Sequence, residues 1–385
     1  MRFRLRTWQT KLAFLVIAAL FTSLIIAPNA MAASGYTWTD DSTTAGHNWQ
    51  SITSSSSGTD LAAVDYGGDI WTSTDGGTNW TDDSLLIGNS GTQGQLWTSI
   101  TSSSNGQELS AVANGGDIWT STDGGTSWTN VTTGNVNMSG QYWQSITSSS
   151  SGTDLSAVDY GGGIWTSTDG GTSWTDDSQL SGNTSTAYQY WFSITSSSSG
   201  QYLAAVANGG DIWTSTDGGT SWTNVTTGNV NMSGQYWQSI TSSSTGQYLA
   251  AVVDSGDIWT STDGGTSWTN VTTGNVNMSG QYWYSITSSS SGQYLAAVDY
   301  GGDIWTANDP ALAPPSNNSG SSSSNNSSSS SSKAPAKTPD TGYGTPNNFS
   351  NPVILGLTSI ALASIAGGVA LLYRTKQVRH QANAR

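Results

Sequence analysis

The side chains best suited to hold a small polar ligand recur at matching points of a repeat. Asp65-Tyr66, Asn114, Asp159-Tyr160, Asn208, Asp254 and Asp299-Tyr300 share one position, and Tyr142, Tyr190, Tyr236 and Tyr282 share another. A flat phenol ring beside carboxylate or amide oxygens is chemistry for binding sugar. The competing reading is that Asn, Asp and Gly stand there as ordinary turn formers. Glycoside hydrolysis needs two carboxyl groups at a set separation. Aspartates could supply them only where they break the repeat, and Glu108, the sole glutamate, stands where other copies carry Asp or Tyr. The segments from Thr129 to Trp143, Thr223 to Trp237 and Thr269 to Trp283 are identical. Repeated loops suit repeated weak sites, whereas a catalytic centre is one asymmetric constellation. No catalytic residue and no cofactor is therefore expected.

Metal chemistry has little support. The chain has no cysteine and two histidines, His47 and His380, which excludes zinc sites of the Cys/His type. The pairs Asp40-Asp41, Asp82-Asp83 and Asp176-Asp177 offer oxygen ligands of the kind Ca²⁺ takes. They lack a spaced set of further acidic ligands, and Asn-Val replaces them in three other copies. They read as solvated strand ends, with no metal assigned.

These positions are set by a repeat of three tryptophans. The first lies in W-x-S-I-T, at Trp49, Trp97, Trp143, Trp191, Trp237 and Trp283, spaced 46 or 48 residues apart. The second lies in I-W-T, from Trp71 to Trp305, and the third follows a glycine turn at Trp80, Trp128, Trp174, Trp222 and Trp268. Each copy holds four short runs rich in Trp, Ile, Val, Thr and Tyr, separated by Gly, Ser, Asn and Asp, with no helical period. In the second copy they are Trp97 to Thr101, Leu109 to Ala113, Asp117 to Ser121 and Ser127 to Asn130. Six four-stranded units at this period predict an all-β, six-bladed β-propeller. The sixth copy stops at Asp309-Pro310 and lacks a fourth run, which Tyr36 to Thr39, containing Trp38, is expected to supply. Such a closure by the N-terminal strand removes an open edge.

The third-strand turn reads S-T-D-G-G-T-x-W at Ser73 to Trp80, and again from Ser121, Ser167, Ser215 and Ser261. This resembles the Asp-box, or bacterial neuraminidase repeat, family of propellers, over nearly all of residues 36–309. The resemblance implies that Asp75, Asp123, Asp169, Asp217 and Asp263 accept hydrogen bonds from turn amides while the Trp packs beneath the hairpin. Asp-Gly-Gly fits that role, since it joins a side-chain acceptor to residues that tolerate positive φ. Sialidases of this family hold the substrate carboxylate with an arginine cluster. Residues 34–309 contain no arginine and no lysine, so sialidase activity is not expected. A fold shared by hydrolases, receptors and assembly factors does not transmit function. The reading adopted is a non-catalytic binding or adhesion head for carbohydrate or another surface component. The alternatives are an Asp-box glycoside hydrolase, an assembly factor and a repetitive coat protein.

All ten basic residues lie outside this head, in the two terminal segments, so the head is strongly acidic. Nucleic acid is a poor partner, because nothing there neutralises phosphate. Residues 1–32 read as a secretory signal peptide: a basic start, an apolar run and an A-x-A site that places cleavage between Ala32 and Ala33. Residues 33–309 form the head. Residues 310–337, dominated by Ser and Asn, read as a disordered stalk that cannot bury a core. Residues 338–352 hold T-P-D-T-G and a spacer, 353–373 an apolar span long enough for one transmembrane helix, and 374–385 a basic tail placed in the cytoplasm by the positive-inside bias. Motif, span and tail together resemble a sortase sorting signal of the LPxTG type, with Thr338 in place of leucine. That resemblance implies a sortase partner and cleavage between Thr341 and Gly342. The expected location is the cell surface, wall or membrane, with the head outside.

Overall fold

The computed structural model describes residues 44–312, apart from Gly134, Val136 and Val276. These residues lie in one compact unit, Met1–Asn318; the second unit, Ser319–Arg385, falls wholly outside the described residues, as do the leader, the stalk beyond Leu312, the sorting motif and the apolar span. The architecture is all-β, built from repeated four-strand units. In the first unit the strands are Trp49–Ser54, Leu61–Gly68, Ile70–Ser73 and Thr81–Asp82. They pair antiparallel in sequence order, with Ile52 opposite Ala63, Ala63 opposite Trp71, and Thr72 opposite Thr81. The fourth strand is two residues long in each of five units, shorter than the sequence suggests, because the Asp-Gly-Gly turn holds the residues before it. Among the described residues the sixth unit has three strands, ending with Ile304–Asn308. Tyr36 to Thr39, its expected completion, lies outside the described residues.

The second strand is buried on both faces, so its sequence is a continuous apolar run and not an alternation. Ala62, Ala63 and Val64 are all buried, and the same holds at Ala204 to Val206 and Ala250 to Val252. One apolar cluster fills each of the five junctions between successive units. At the first junction Ala62, Val64 and Ile70 meet Trp97, Ile100, Ala111 and Trp128 of the next unit. The first-strand tryptophans Trp97, Trp143, Trp191, Trp237 and Trp283 are completely enclosed. A short pairing also joins neighbours, as the end of each second strand meets the start of the next first strand, for example Tyr66 with Leu96 and Gly68 with Gln95.

The outermost units differ. Trp49 is 38% exposed and Ile52 65%, whereas Trp97 and Ile100 are buried. Ile304 is 77% exposed, whereas Ile70 is buried. No strand pairing joins the first unit to the last among the described residues. The Ser-rich turns nonetheless follow one another closely. Ser56 N donates to Ser104 O, Ser104 N to Ser150 O, and the series continues through Ser198 and Ser244 to Ser290. Serines of all six units line one cavity of about 290 Å³.

Neighbouring residues on one strand test this account. Trp143→Ala should cost about 3–5 kcal/mol, as for other large buried aromatics. Tyr142→Ala, one residue away on the open face, should stay within about 0.5 kcal/mol. Denaturant unfolding of the two variants makes the comparison; equal losses would contradict the assigned faces.

Candidate functional site

The glycine-turn aspartates are spent on their own hairpins. Ser73 Oγ donates to Asp75 Oδ1 at 2.9 Å, Asn79 N donates to the same oxygen at 2.9 Å, and Asn79 Nδ2 donates to Oδ2 at 2.6 Å. The Asp123, Asp169, Asp217 and Asp263 turns repeat this, with Ser127, Ser173, Ser221 and Ser267 in the place of Asn79. Gly76 and Gly77 have φ of 71° and 87°, a region that glycine enters without steric cost. The hydrogen bonds from Asn79, Ser173 and Ser267 hold Asp75, Asp169 and Asp263 below the ordinary carboxylate range. At Asp123 and Asp217 burial pushes upward, but the bonds from Ser127 and Ser221 outweigh it.

The ligand-face residues separate into two groups. Asp65 and Asp159 are buried, which corrects their expected outward orientation. Asp65 accepts from Asn48 N at 2.7 Å and pairs with His47 Nδ1 at 2.5 Å. Asp159 accepts from Gly163 N at 2.6 Å, and burial raises its carboxyl to about 6. Asp299 Oδ1 takes Asp303 N in the same way, at 2.6 Å. The Asp159 and Asp299 carboxylates brace the turn between second and third strands, whereas that of Asp65 ties its strand to the residues just ahead of the first strand. The tyrosines beside them point outward: Tyr66, Tyr160 and Tyr300 are exposed. Asp65, Asp159 and Asp299 stand opposite a Trp of their own unit, whereas five of the second-strand candidates stand directly opposite a residue of the next unit. The pairs are Tyr66 with Leu96, Asn114 with Tyr142, Tyr160 with Tyr190, Asn208 with Tyr236, and Asp254 with Tyr282. Tyr142, Tyr190, Tyr236 and Tyr282 are all between 54% and 61% exposed. They form a regular row, one ring per unit, each immediately before a buried Trp. Tyr160 and Tyr190 have ring centroids 4.7 Å apart.

Of the three acidic pairs, Asp40-Asp41 lies outside the described residues. Asp83 and Asp177 overturn the reading of the other two as solvated strand ends. Both are fully buried. Asp83 Oδ1 accepts from Thr72 Oγ1 at 2.7 Å, and its Oδ2 accepts from Trp128 Nε1 of the next unit at 3.0 Å. Asp177 does the same with Thr166 at 2.7 Å and Trp222 at 3.1 Å. Asn89 and Asn183 add bonds from Trp128 N and Trp222 N across the same junctions. Where the neighbour carries valine instead, the indole turns to its own hairpin: Trp174 donates to Gly171 O and Trp268 to Gly265 O, each at 3.0 Å. The first aspartate of each pair holds the turn, with Asp82 and Asp176 accepting from Ser84 N and Ser178 N. Sequence reasoning missed Asn89 and Asn183, although Asp-Asp-Ser followed by Gly-Asn marks both copies.

No group of three or more metal-ligating side chains occurs among the described residues. A cavity of about 480 Å³ lies between the fourth and fifth units beside Asp263, but the carboxylate of Asp263 is already engaged in its turn. The cleavage candidates Ala32, Ala33, Thr341 and Gly342 lie outside the described residues.

Comparison with known proteins gives the fold and nothing finer. The chain is similar to an ancestral GH74 enzyme at 16% identity, with a TM-score of 0.53, covering 71% of this chain and 38% of that one. It is similar to the GH74 xyloglucanase from Xanthomonas campestris at 14% identity, with a TM-score of 0.51, covering 69% and 44%. A third similarity, to YCF48 from Cyanidioschyzon merolae, has 16% identity and a TM-score of 0.40, covering 69% of this chain and 96% of that one. The chain thus spans less than half the length of the two GH74 proteins. No family model matches the sequence. No curated protein matches it either. The repeated four-strand units are similar to those of propeller proteins.

A pH dependence follows from the buried carboxyls. Burial raises Asp83 and Asp177 to about 7, from 3.8 for an unstrained Asp. The folded state therefore holds their protons more tightly than the unfolded one. Their stabilising contribution is complete below about pH 4 and is lost as pH rises through 7. The turn aspartates act oppositely, losing theirs as pH falls below 3.8. Melting temperature should rise as pH drops from 8 to 5 and fall again in stronger acid. Asp83→Asn with Asp177→Asn should flatten the upper limb; a slope unchanged by the double substitution would contradict the assignment.

Proposed function

We propose that the head is a non-catalytic binding module displayed outside the cell, with extracellular carbohydrate as its ligand. The observation that supports this best is the row of Tyr142, Tyr190, Tyr236 and Tyr282, each exposed at the same register with Asn114, Tyr160, Asn208 or Asp254 opposite. Exposed rings normally cost solubility, and a periodic set of them marks a surface built for contact. A phenol face stacks on a sugar ring, and an amide or carboxylate oxygen orients its hydroxyls. The head lacks lysine and arginine, which favours uncharged ligands over phosphorylated or sulfated ones. Stacked sheets lie about 10 Å apart, so successive tyrosines suit several sugars of one chain and not a single monosaccharide.

The surrounding organisation belongs to the same reading. The leader exports the chain, residues 310–337 act as a tether, and the apolar span holds it at the envelope, either directly or through a sortase acting between Thr341 and Gly342. Tyr36 to Thr39 completes the sixth unit and closes the ring of six blades.

Repeated weak sites give a measurable signature. Affinity for a polymeric glycan should exceed that for its monomer by about 10²–10⁴. Replacing Tyr142, Tyr236 and Tyr282 together by Ala should remove binding, while any one replacement should weaken it modestly. A glycan array followed by titration calorimetry reads both. Polymer and monomer affinities that agree, or binding that survives the triple substitution, would reject the tyrosine row. Glycoside turnover abolished by changing a single aspartate would instead support a hydrolase.

A further inference from the structure

The junctions that follow the fourth and fifth units combine two features that no earlier junction combines. At the end of the turn after the first strand, the first three units carry Asp60, Glu108 and Asp154, and the last three carry Tyr202, Tyr248 and Tyr294. Where the first and third units carry Asp83 and Asp177, the second, fourth and fifth carry Val131, Val225 and Val271. Tyrosine and valine therefore coincide in the fourth and fifth units, and not in the first three.

Losing the carboxylate leaves a donor idle. Thr72 and Thr166 donate to Asp83 and Asp177, whereas the hydroxyls of Thr214 and Thr260 line cavities and make no hydrogen bond among the described residues. Thr214 is only 9% exposed, and a polar group removed from water without a partner is costly. No acceptor refills the space. The Asp83 carboxylate stands over Gly125 and that of Asp177 over Gly219, while side-chain carbons of Thr214 and Leu249 and the Trp268 indole N–H stand over the corresponding Gly265. What remains is the cavity of about 480 Å³, lined by Tyr202, Thr214 and Val225 of the fourth unit and by Gln247, Leu249 and Asp263 of the fifth. Small-molecule sites span about 300–1,000 Å³. The counterpart after the fifth unit holds about 240 Å³, and the Gln293 amide there already donates to Asn308 Oδ1 at 3.1 Å.

We propose that the cavity between the fourth and fifth units is a second ligand site, which takes one neutral sugar residue against Tyr202 with a sugar hydroxyl on Thr214 Oγ1. Tyr202 supplies a ring for stacking, and Val225 and Leu249 supply apolar contact for the C–H face of the sugar. Asp263 Oδ1 accepts from Ser261 Oγ and Ser267 N, but Oδ2 accepts from Ser267 Oγ alone, so Oδ2 can take one hydroxyl more. Sugar hydroxyls both accept and donate, which suits a floor with an idle donor and a wall with a spare acceptor. The exposed Gln247 adds an amide to the same lining. Charge narrows the class further. With no lysine or arginine in the head and a carboxylate in the wall, an anionic ligand is repelled. An ammonium ligand would suit Asp263 and the Tyr202 ring, but it offers no acceptor to Thr214. The site does not depend on the tyrosine row. Tyr236 stands at the start of the strand Gln235–Ser242, and Gln247 lies in the turn beyond its other end.

The chain's own units supply the substitutions that test this. Val225→Asp copies the first and third units and fills the cavity floor, and Tyr202→Asp copies the same two units at the rim. Val131→Asp makes the first of these changes at the junction that has Glu108 in place of tyrosine. Saturation-transfer NMR on the full chain would use the methyl glycosides of glucose, galactose, mannose and N-acetylglucosamine, with choline as a cationic probe. At least one glycoside should receive saturation from the parent protein. Its affinity should fall about tenfold or more in Val225→Asp and in Tyr202→Asp, and should hold in Val131→Asp. Circular dichroism checks that each variant is folded, and Tyr202→Asp, at an exposed position, decides the matter if Val225→Asp is not. Transfer to choline but to no glycoside would assign the cavity to a cation and overturn the proposal. So would transfer to no probe, or an affinity that is unchanged in the folded Val225 and Tyr202 variants.

Discussion

Packing two tryptophans against every junction buries indole N–H groups that must find an acceptor or remain unpaired at a cost. This constraint organises the differences between otherwise similar units. The glycine-turn indole has two solutions, a carboxylate on the preceding unit or a carbonyl in its own turn. The first-strand indole is served unequally. Trp97 and Trp191 donate to Thr92 O and Thr186 O, on the loops that also carry Asn89 and Asn183. Trp143, Trp237 and Trp283 have no acceptor among the described residues and pack beside Met138, Met232 and Met278. The loop with Asp-Asp-Ser satisfies more polar groups, and the loop with Asn-Val fills more volume with apolar atoms.

The second constraint is electrostatic. With no lysine or arginine in the head, the buried Asp83 and Asp177 have no cation beside them, and burial drives them toward the neutral form. Asp117 and Asp257 avoid the problem by remaining partly exposed and taking bonds from Asn130 and Thr132, or Asn270 and Thr272. Asp83 and Asp177 do not avoid it, and acidity becomes part of what holds their junctions. Hydroxyls replace charge elsewhere too, as serine contacts tie adjacent turns together around the Ser-lined cavity.

What could be read from sequence was what is local and periodic. The Trp repeat marks the units, and S-T-D-G-G-T-x-W carries its own hydrogen bonds within seven residues, so its turn geometry needs no distant partner. The direction of Asp65 and Asp159 was not legible, because each lies where the ladder slips register: a bulge moves a side chain from one face to the other. The burial of Asp83 was hidden for a different reason. Its partner Trp128 lies 45 residues on, in another unit, and two adjacent aspartates near a strand end look solvated until that neighbour is placed. The tyrosine row was visible as composition, but its pairing across units emerges only from the strand register.

The two options open to the glycine-turn indole bear on how such a chain can change by duplication. The turn sequence is the same whether the preceding unit offers Asp or Val, since Trp128 and Trp174 sit in identical G-G-T-S-W-T contexts. A copied unit can therefore be inserted after either kind without compensating substitutions at the receiving hairpin. Recombination between near-identical copies, which would scramble a fold with specific pairwise junctions, here leaves every new seam chemically competent.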